Sequence, residues 1–150
     1  MNETITYRAA GKKDLGGLIS LYKQLNPEDN PPDGKTVRRI WKKILADRDS
    51  RIFLACDSDT AVGSCSVFII PNLTRGGRPF AVIENVIVDS GYRNLGIGRR
   101  LMDSALLFAE NSGCYKVLLL SSSGRSGSHR FYEKMGFDGN SKKGFVMRFT

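Results

Sequence analysis

The stretch Val86-Ile87-Val88-Asp89-Ser90-Gly91-Tyr92-Arg93-Asn94-Leu95-Gly96-Ile97-Gly98-Arg99-Arg100-Leu101-Met102 decides how the rest of this chain is read. It opens on the end of a β-rich segment, Phe80 to Val88, and closes inside a run in which Ile97, Leu101, Ala105, Phe108 and Ala109 recur at helical period. Strand, glycine loop and helix therefore follow one another directly. Gly96 and Gly98 at the mouth of the helix leave backbone N–H groups pointing outward beside the positive end of the helix dipole. Such a mouth is an anion site, and phosphate is its natural occupant, with Arg93, Arg99 and Arg100 adding charge. The two glycines alone do not separate this reading from an ordinary turn flanked by solvated arginines.

Working outward, Gly113 ends the helix and Lys116 to Leu120 is a short apolar run of the kind that forms a fully buried strand. Strand, helix, strand implies a right-handed crossover to a parallel neighbour. Upstream, Arg51 to Cys56 and Ala61 to Ile70 flank the turn Asp57-Ser58-Asp59, and Arg75 to Arg78 turns the chain again, so three strands form an antiparallel meander. Earlier still, Ile5 to Arg8 alternates as a strand, and Asp14 is placed to cap a helix with Leu15, Leu18, Ile19, Tyr22 and Leu25 on one face. Asn26 to Gly34 carries three prolines and the acids Glu28, Asp29 and Asp33, which stops that helix. Val37, Ile40, Trp41, Ile44 and Leu45 mark a second helix. After a Ser/Gly-rich loop, Ser121 to Ser128, come a short helix, His129 to Met135, and a last strand, Gly144 to Phe149. Nothing marks a repeat or a linker, so residues 1–150 read as one domain.

The 150 residues, with 41% hydrophobic and 25% charged side chains, suffice for one core and exclude disordered and collagenous classes. No run approaches the ~20 apolar residues of a membrane span, and Met1 to Tyr7 carries no signal pattern, so a soluble, cytoplasmic protein with no membrane partner is expected. Cys56, Cys65 and Cys114 lack metal or disulfide spacing and read as reduced core thiols. The single His129 cannot build a multi-histidine site, and no metal is expected. The +8 net charge favours an anionic partner. Because the basic residues come as scattered pairs, a phosphate pocket fits better than a nucleic-acid arm. Leu101 stands where a dinucleotide fingerprint needs its third glycine, no G-x-x-x-x-G-K-[ST] occurs, and Ser128 spoils a nucleophile elbow around Ser126.

Residues 86–102 resemble the acetyl-CoA segment of the GNAT superfamily of N-acetyltransferases, R/Q-x-x-G-x-G/A after a strand. Phe131-Tyr132-Glu133-Lys134-Met135-Gly136-Phe137 is similar to that family's F-Y-E-K-x-G-F helix, and the Ile5 to Asp14 opening and Ala61-Val62-Gly63 also fit. The resemblance implies an α/β (α+β) fold: a mixed, mostly antiparallel sheet of six to seven strands flanked by about four helices, splayed between strands 4 and 5. It implies acetyl-CoA as co-substrate, with the pantetheine arm on the backbone of Val86, Ile87 and Val88. The diphosphate would lie on the amides of Arg93, Asn94, Leu95, Gly96, Ile97, Gly98 and Arg99. It also implies direct attack by a primary amine in a ternary complex, without a covalent enzyme intermediate.

By the same resemblance Tyr132 stands beside the departing sulfur. With a phenol near 10 and a thiol near 8.5, full proton transfer is uphill by about 2 kcal/mol, so hydrogen-bond support of the thiolate is at least as good a role. Glu84 matches the carboxylate that several relatives use as a base, and simple alternation puts it on one face with Val82 and Val86. Asn85 is a weaker candidate for substrate polarity. Arg125 replaces an Asn common in relatives, which leaves open what takes over its hydrogen bond, and His129 caps or packs the short helix. Gly113-Cys114-Tyr115-Lys116 together with the F-Y-E-K helix is also similar to glucosamine-phosphate N-acetyltransferases, favouring an amino sugar phosphate. The acids Glu28, Asp29 and Asp33 favour a polyamine-like cation instead. Protein N-termini or lysines, and a non-catalytic acyl-CoA sensor, are the alternatives. Pairing of two copies through sheet edges or terminal strands is compatible with so small a domain.

Overall fold

The computed structural model describes residues 5–150, which form two compact units, one reaching Leu118 and the other Leu119–Thr150. The expectation for Met1 to Tyr7 falls partly outside the described residues. In the first unit, β1 (Ile5–Ala9), β2 (Ser50–Asp57), β3 (Thr60–Ile70) and β4 (Phe80–Val88) pair antiparallel in sequence order. β5 (Val117–Leu119) follows β4 at the sheet's edge. The sheet thus holds five strands among the described residues, fewer than the six to seven expected. The difference is the tail: Gly144 to Phe149 is not a strand, and Phe145, Met147 and Phe149 are 86%, 80% and 90% exposed. Alternating apolar residues can become a strand only where a neighbouring edge accepts their N–H and C=O groups.

Side-chain alternation across β2 and β3 divides the core. Ile52, Leu54 and Cys56 meet Leu18 and Trp41 from α1 (Leu15–Leu25) and α2 (Gly34–Ala46). Gly63 and Cys65 point the other way, to α3 (Ile97–Asn111), where Cys65 Sγ approaches Leu101 O at 3.6 Å. A Cβ on Gly63 would lie 2.9 Å from Leu101 Cδ1 and 3.2 Å from Ile97 Cγ2, so glycine here is what lets α3 lie on the sheet. Ile97, Leu101, Met102, Ala105 and Ala109 are buried on α3, each worth about 1.5–3 kcal/mol for the larger side chains.

The start of the first helix differs from expectation. Asp14 holds the N-cap position of α1 but makes no side-chain cap. Its carboxylate turns back to Arg8, at 2.7 and 2.8 Å, and to the Gly11 N–H at 2.6 Å. A bidentate guanidinium outcompetes a neutral amide, and it holds Asp14 below the usual carboxylate range. Asp33 is the true cap of α2, accepting from the Lys35 and Thr36 N–H groups and from Thr36 Oγ1.

Both later helices end in the same hydrogen-bonded device. At the end of α3, Cys114 N–H donates to Ala109 O and Gly113 N–H to Glu110 O, with Gly113 at φ 79°. In the second unit, α4 (Ser126–Lys134) begins three residues before the expected His129 and closes with Phe137 N–H on Tyr132 O and Gly136 N–H on Glu133 O, Gly136 at φ 99°. This is the glycine-dependent Schellman ending, and its usual apolar clasp is Tyr132 against Phe137.

Candidate active site

β4 is interrupted where the sequence promised plain alternation. Ser66 stands opposite Glu84 and Ser64 opposite Ile87, so Asn85 and Val86 together face the single residue Cys65. This is a β-bulge, and Asn85 adopts φ 53°, left-handed backbone that asparagine tolerates better than most residues. The extra residue corrects the expectation that Val82, Glu84 and Val86 share a face. Glu84 lies with Ser66 on the α1/α2 side, while Ile87, opposite Ser64, takes that side after the bulge and Val86 turns to the other.

On the α1/α2 side a cavity of about 260 Å³ is lined by Leu18, Tyr22, Val37 and Trp41, with Ser66 and Asn85 at its sheet end. Burial pushes the Tyr22 phenol up. Ser64 Oγ is buried and makes no hydrogen bond. Arg51 borders the cavity, but its guanidinium donates to Ser50 O at 2.7 Å and stacks 5.1 Å over Phe108, on the α3 side. Tyr22 reads in the sequence as one more core residue. Only the fold shows it beside the bulge.

β4 leads into the glycine crook. The Asp89 carboxylate accepts the Gly91 N–H at 2.8 Å, and its backbone N–H donates to Val62 O at 2.8 Å. Tyr92 Oη donates to Asp57 Oδ2 at 2.8 Å, and this bond to a carboxylate pushes the phenol up. Asn94 at φ 62° and Gly96 at φ 78° then swing the chain into α3, whose first backbone bond runs from Arg100 N–H to Gly96 O at 3.2 Å. Residues Arg93 to Gly96 are exposed, and a Cβ on Gly96 would meet nothing within 4 Å. The crook is open, and the N–H groups of the first helical turn have no intrahelical acceptor. A diphosphate therefore fits the residues present.

The arginines divide their work. Arg93 Nε donates to Val88 O at 3.3 Å, and Arg100 stacks 5.0 Å from the Tyr7 ring centre, so both brace the crook's surroundings. Arg99 is exposed. The bonds that join β4 to the chain entering β5 sit at its beginning, Tyr115 N–H to Pro79 O and Ala81 N–H to Lys116 O. Cys65 is pushed up to about 12 by burial, and Cys56 and Cys114 are raised by the same cause, so none is an activated thiolate.

In the second unit the Tyr132 ring packs edge-on to Phe131 and Phe137, with centroids 5.2 and 6.0 Å apart. The F-Y-E-K-M-G-F spacing thereby has a physical reason: Gly136 reverses the chain so that Phe137 fixes Tyr132. His129 Nε2 lies 2.9 Å from Ser122 O and fastens the start of α4 to the loop before it. Arg125 takes the N-cap position of α4.

A mixed sheet with a bulged fourth strand running into an open crook at a helix N-terminus is the architecture of an N-acetyltransferase. Comparison with known proteins agrees. The profile of the acetyltransferase (GNAT) family matches residues 18–137, and the chain belongs to that family. A glucosamine 6-phosphate N-acetyltransferase of Trypanosoma brucei brucei is 39% identical over 131 residues, 87% of this chain and 86% of its own. A putative acetyltransferase from Agrobacterium tumefaciens superposes with a TM-score of 0.91 at 39% identity, covering 96% of this chain and 99% of that one. The glucosamine-6-phosphate N-acetyltransferase of Arabidopsis thaliana superposes at 0.83 with 27% identity, covering 99% of each chain.

Proposed function

We propose that this chain transfers acetyl from acetyl-CoA to the primary amine of a small molecule, and that glucosamine 6-phosphate is the first acceptor to test. The donor half is supported by the open crook, where Asn94 and Gly96 take left-handed backbone, residues 93–96 are exposed and a Cβ on Gly96 would meet nothing within 4 Å. The acceptor half is supported by the 39% identity to the trypanosomal enzyme. The competing cationic acceptor loses support, since Asp33, one of the three acids behind it, is committed to capping α2.

Acetyl-CoA supplies the activated thioester. Val86, Ile87 and Val88 would hold its arm by backbone hydrogen bonds, with a backbone N–H near Ile87 polarising the carbonyl. Attack forms the C–N bond and breaks C–S. The amine's proton leaves to Glu84 through water, and the thiolate is stabilised by the Tyr132 hydroxyl. The raised thiols favour direct attack over a cysteine-bound intermediate.

We also place two copies together through the tail, because Phe145, Val146, Met147 and Phe149 are strand-forming side chains left exposed. A cytoplasmic location goes with this reading. No helix among the described residues is long and apolar enough to cross a membrane.

The test is thiol release and product mass with acetyl-CoA and a panel of glucosamine 6-phosphate, glucosamine, spermidine, and peptides with free N-termini or lysines. Acetylation of the sugar phosphate with the highest kcat/KM is expected. Binding of acetyl-CoA with no acetylated product from any amine would replace the enzyme by the sensor reading.

A further inference from the structure

The turn that leads into the crook is fastened from a distant helix. Gln24 stands on the exposed last turn of α1, 65 residues before Asp89, and its Nε2 donates to Asp89 Oδ2 at 2.6 Å. Its Oε1 accepts the Ser90 N–H at 3.1 Å. A backbone N–H can only donate, so Ser90 fixes which end of the amide faces it and leaves the NH2 group for Asp89. The other Asp89 oxygen accepts Gly91 N–H, and the Asp89 main chain bonds Val62 O and Tyr92 N–H. Asp89 is thus tied to β3, to its own turn and, through Gln24, to α1. A glutamine is the uncharged side chain that offers one donor and one acceptor at this reach.

We infer that Gln24 is a positioning residue for the donor site: it sets the turn Asp89 to Gly91 and, through it, the aim of the N–H groups that follow. The inference rests on the proposed reading of the crook as a diphosphate site. Gln24 touches no reacting atom. It acts by holding a short, glycine-containing turn in the one conformation from which Asn94 and Gly96 present their amides.

The experiment titrates coenzyme A calorimetrically into the wild-type chain and into Gln24→Leu, Gln24→Glu, Asp89→Asn and the double variant Gln24→Glu/Asp89→Asn, alongside steady-state thiol release and thermal melting. Gln24→Leu is expected to raise the Kd of coenzyme A and the KM of acetyl-CoA at least tenfold, since it removes one neutral and one charge-assisted bond from the turn. Its kcat and melting temperature should stay near wild type, because residue 24 is exposed. Gln24→Glu sets two carboxylates against each other and should bind more weakly still. In the double variant the carboxylate introduced at position 24 accepts from both the amide introduced at position 89 and the Ser90 N–H. Two bonds are restored with reversed polarity, and affinity should return to within about threefold of wild type. A merely structural Gln24 would show neither the KM-only effect nor this rescue. Wild-type protein that does not bind coenzyme A would overturn the diphosphate site and this inference together. Wild-type protein that binds, with Gln24→Leu binding equally well or the double variant as weak as Gln24→Glu, would overturn the inference alone.

Discussion

Replacing Gly96 by alanine separates the crook's two properties, its backbone conformation and its emptiness. Gly96 has φ 78°, where an L-residue with a Cβ is disfavoured by about 1–2 kcal/mol. The added methyl touches nothing within 4 Å, so no clash adds to that figure. Stability should fall by about 1 kcal/mol, or roughly 2–4 °C in melting temperature for a chain of this size. On the proposed reading the functional effect is much larger, because the methyl would enter the space of the diphosphate. Two charge-assisted hydrogen bonds at about 1.5 kcal/mol each amount to about 3 kcal/mol, or roughly a hundredfold in the KM of acetyl-CoA. Gly63→Ala is the mirror experiment: its Cβ would press Leu101 at 2.9 Å and the Ile87 carbonyl at 3.3 Å. That overpacking should cost about 1–3 kcal/mol of stability with little change in KM. Melting curves and acetyl-CoA saturation curves on both variants decide the matter. A Gly96→Ala enzyme with KM within threefold of wild type would refute the phosphate-binding role of the crook.

Tyr132→Phe keeps the ring between Phe131 and Phe137 and removes the hydroxyl, so kcat should drop at least tenfold while acetyl-CoA KM moves less than threefold; steady-state kinetics check both, and an unchanged kcat removes Tyr132 from the reaction. Asp33→Ala should lower the melting temperature through loss of the α2 cap without altering the ranking of amine acceptors, whereas a changed ranking would return Asp33 to the acceptor site. Asp14 and Asp89 are held below the ordinary carboxylate range, by Arg8 and by Gln24 respectively. Their folded values lie below the unfolded value near ~3.9, so their contribution is complete above that pH and disappears as pH falls through the folded values. Melting should be flat from about pH 7 to 5 and fall below about 4, with a shallower acid limb in Asp14→Asn; parallel limbs in the two proteins would contradict this. Phe145→Ser/Phe149→Ser should elute as a monomer in sizing with light scattering where the wild type elutes as a dimer, and a wild type monomeric at every concentration would dismiss the tail contact.

What the sequence makes legible are the features written in local pattern. The meander follows from turn residues between β-rich runs, α3 from helical period after Gly98, and both Schellman endings from glycines at 113 and 136. Four things are hidden for physical reasons. The bulge adds a residue to β4 without any glycine or proline to mark it, since Asn85 enters left-handed backbone unaided, and so plain alternation puts Val86 on the wrong face. Asp14 reads as a helix cap because propensity cannot see that Arg8, six residues back, competes for it. The tail reads as a strand from its alternation, although a strand exists only where a partner edge supplies bonds. Gln24 leaves no local trace, because its partners at Asp89 and Ser90 come near only once β4 lies beside α1.

The bulge does more than correct an alignment of faces. Had β4 kept strict alternation, Glu84, Val86 and Val88 would look toward the same layer of helices; with the bulge, Ile87 takes that side and Val86 the other. The inserted Asn85 turns the strand half a step. Glu84 then faces the layer of α1 and α2, where Tyr22, Ser66 and Asn85 border the cavity, while the backbone two residues later runs toward the crook. On the proposed reading, one left-handed residue, at a cost of order 1 kcal/mol, lets the strand that carries the proposed base Glu84 run on into the crook. That is the physical reason to look for the amine beside Glu84 and for the diphosphate beyond Val88.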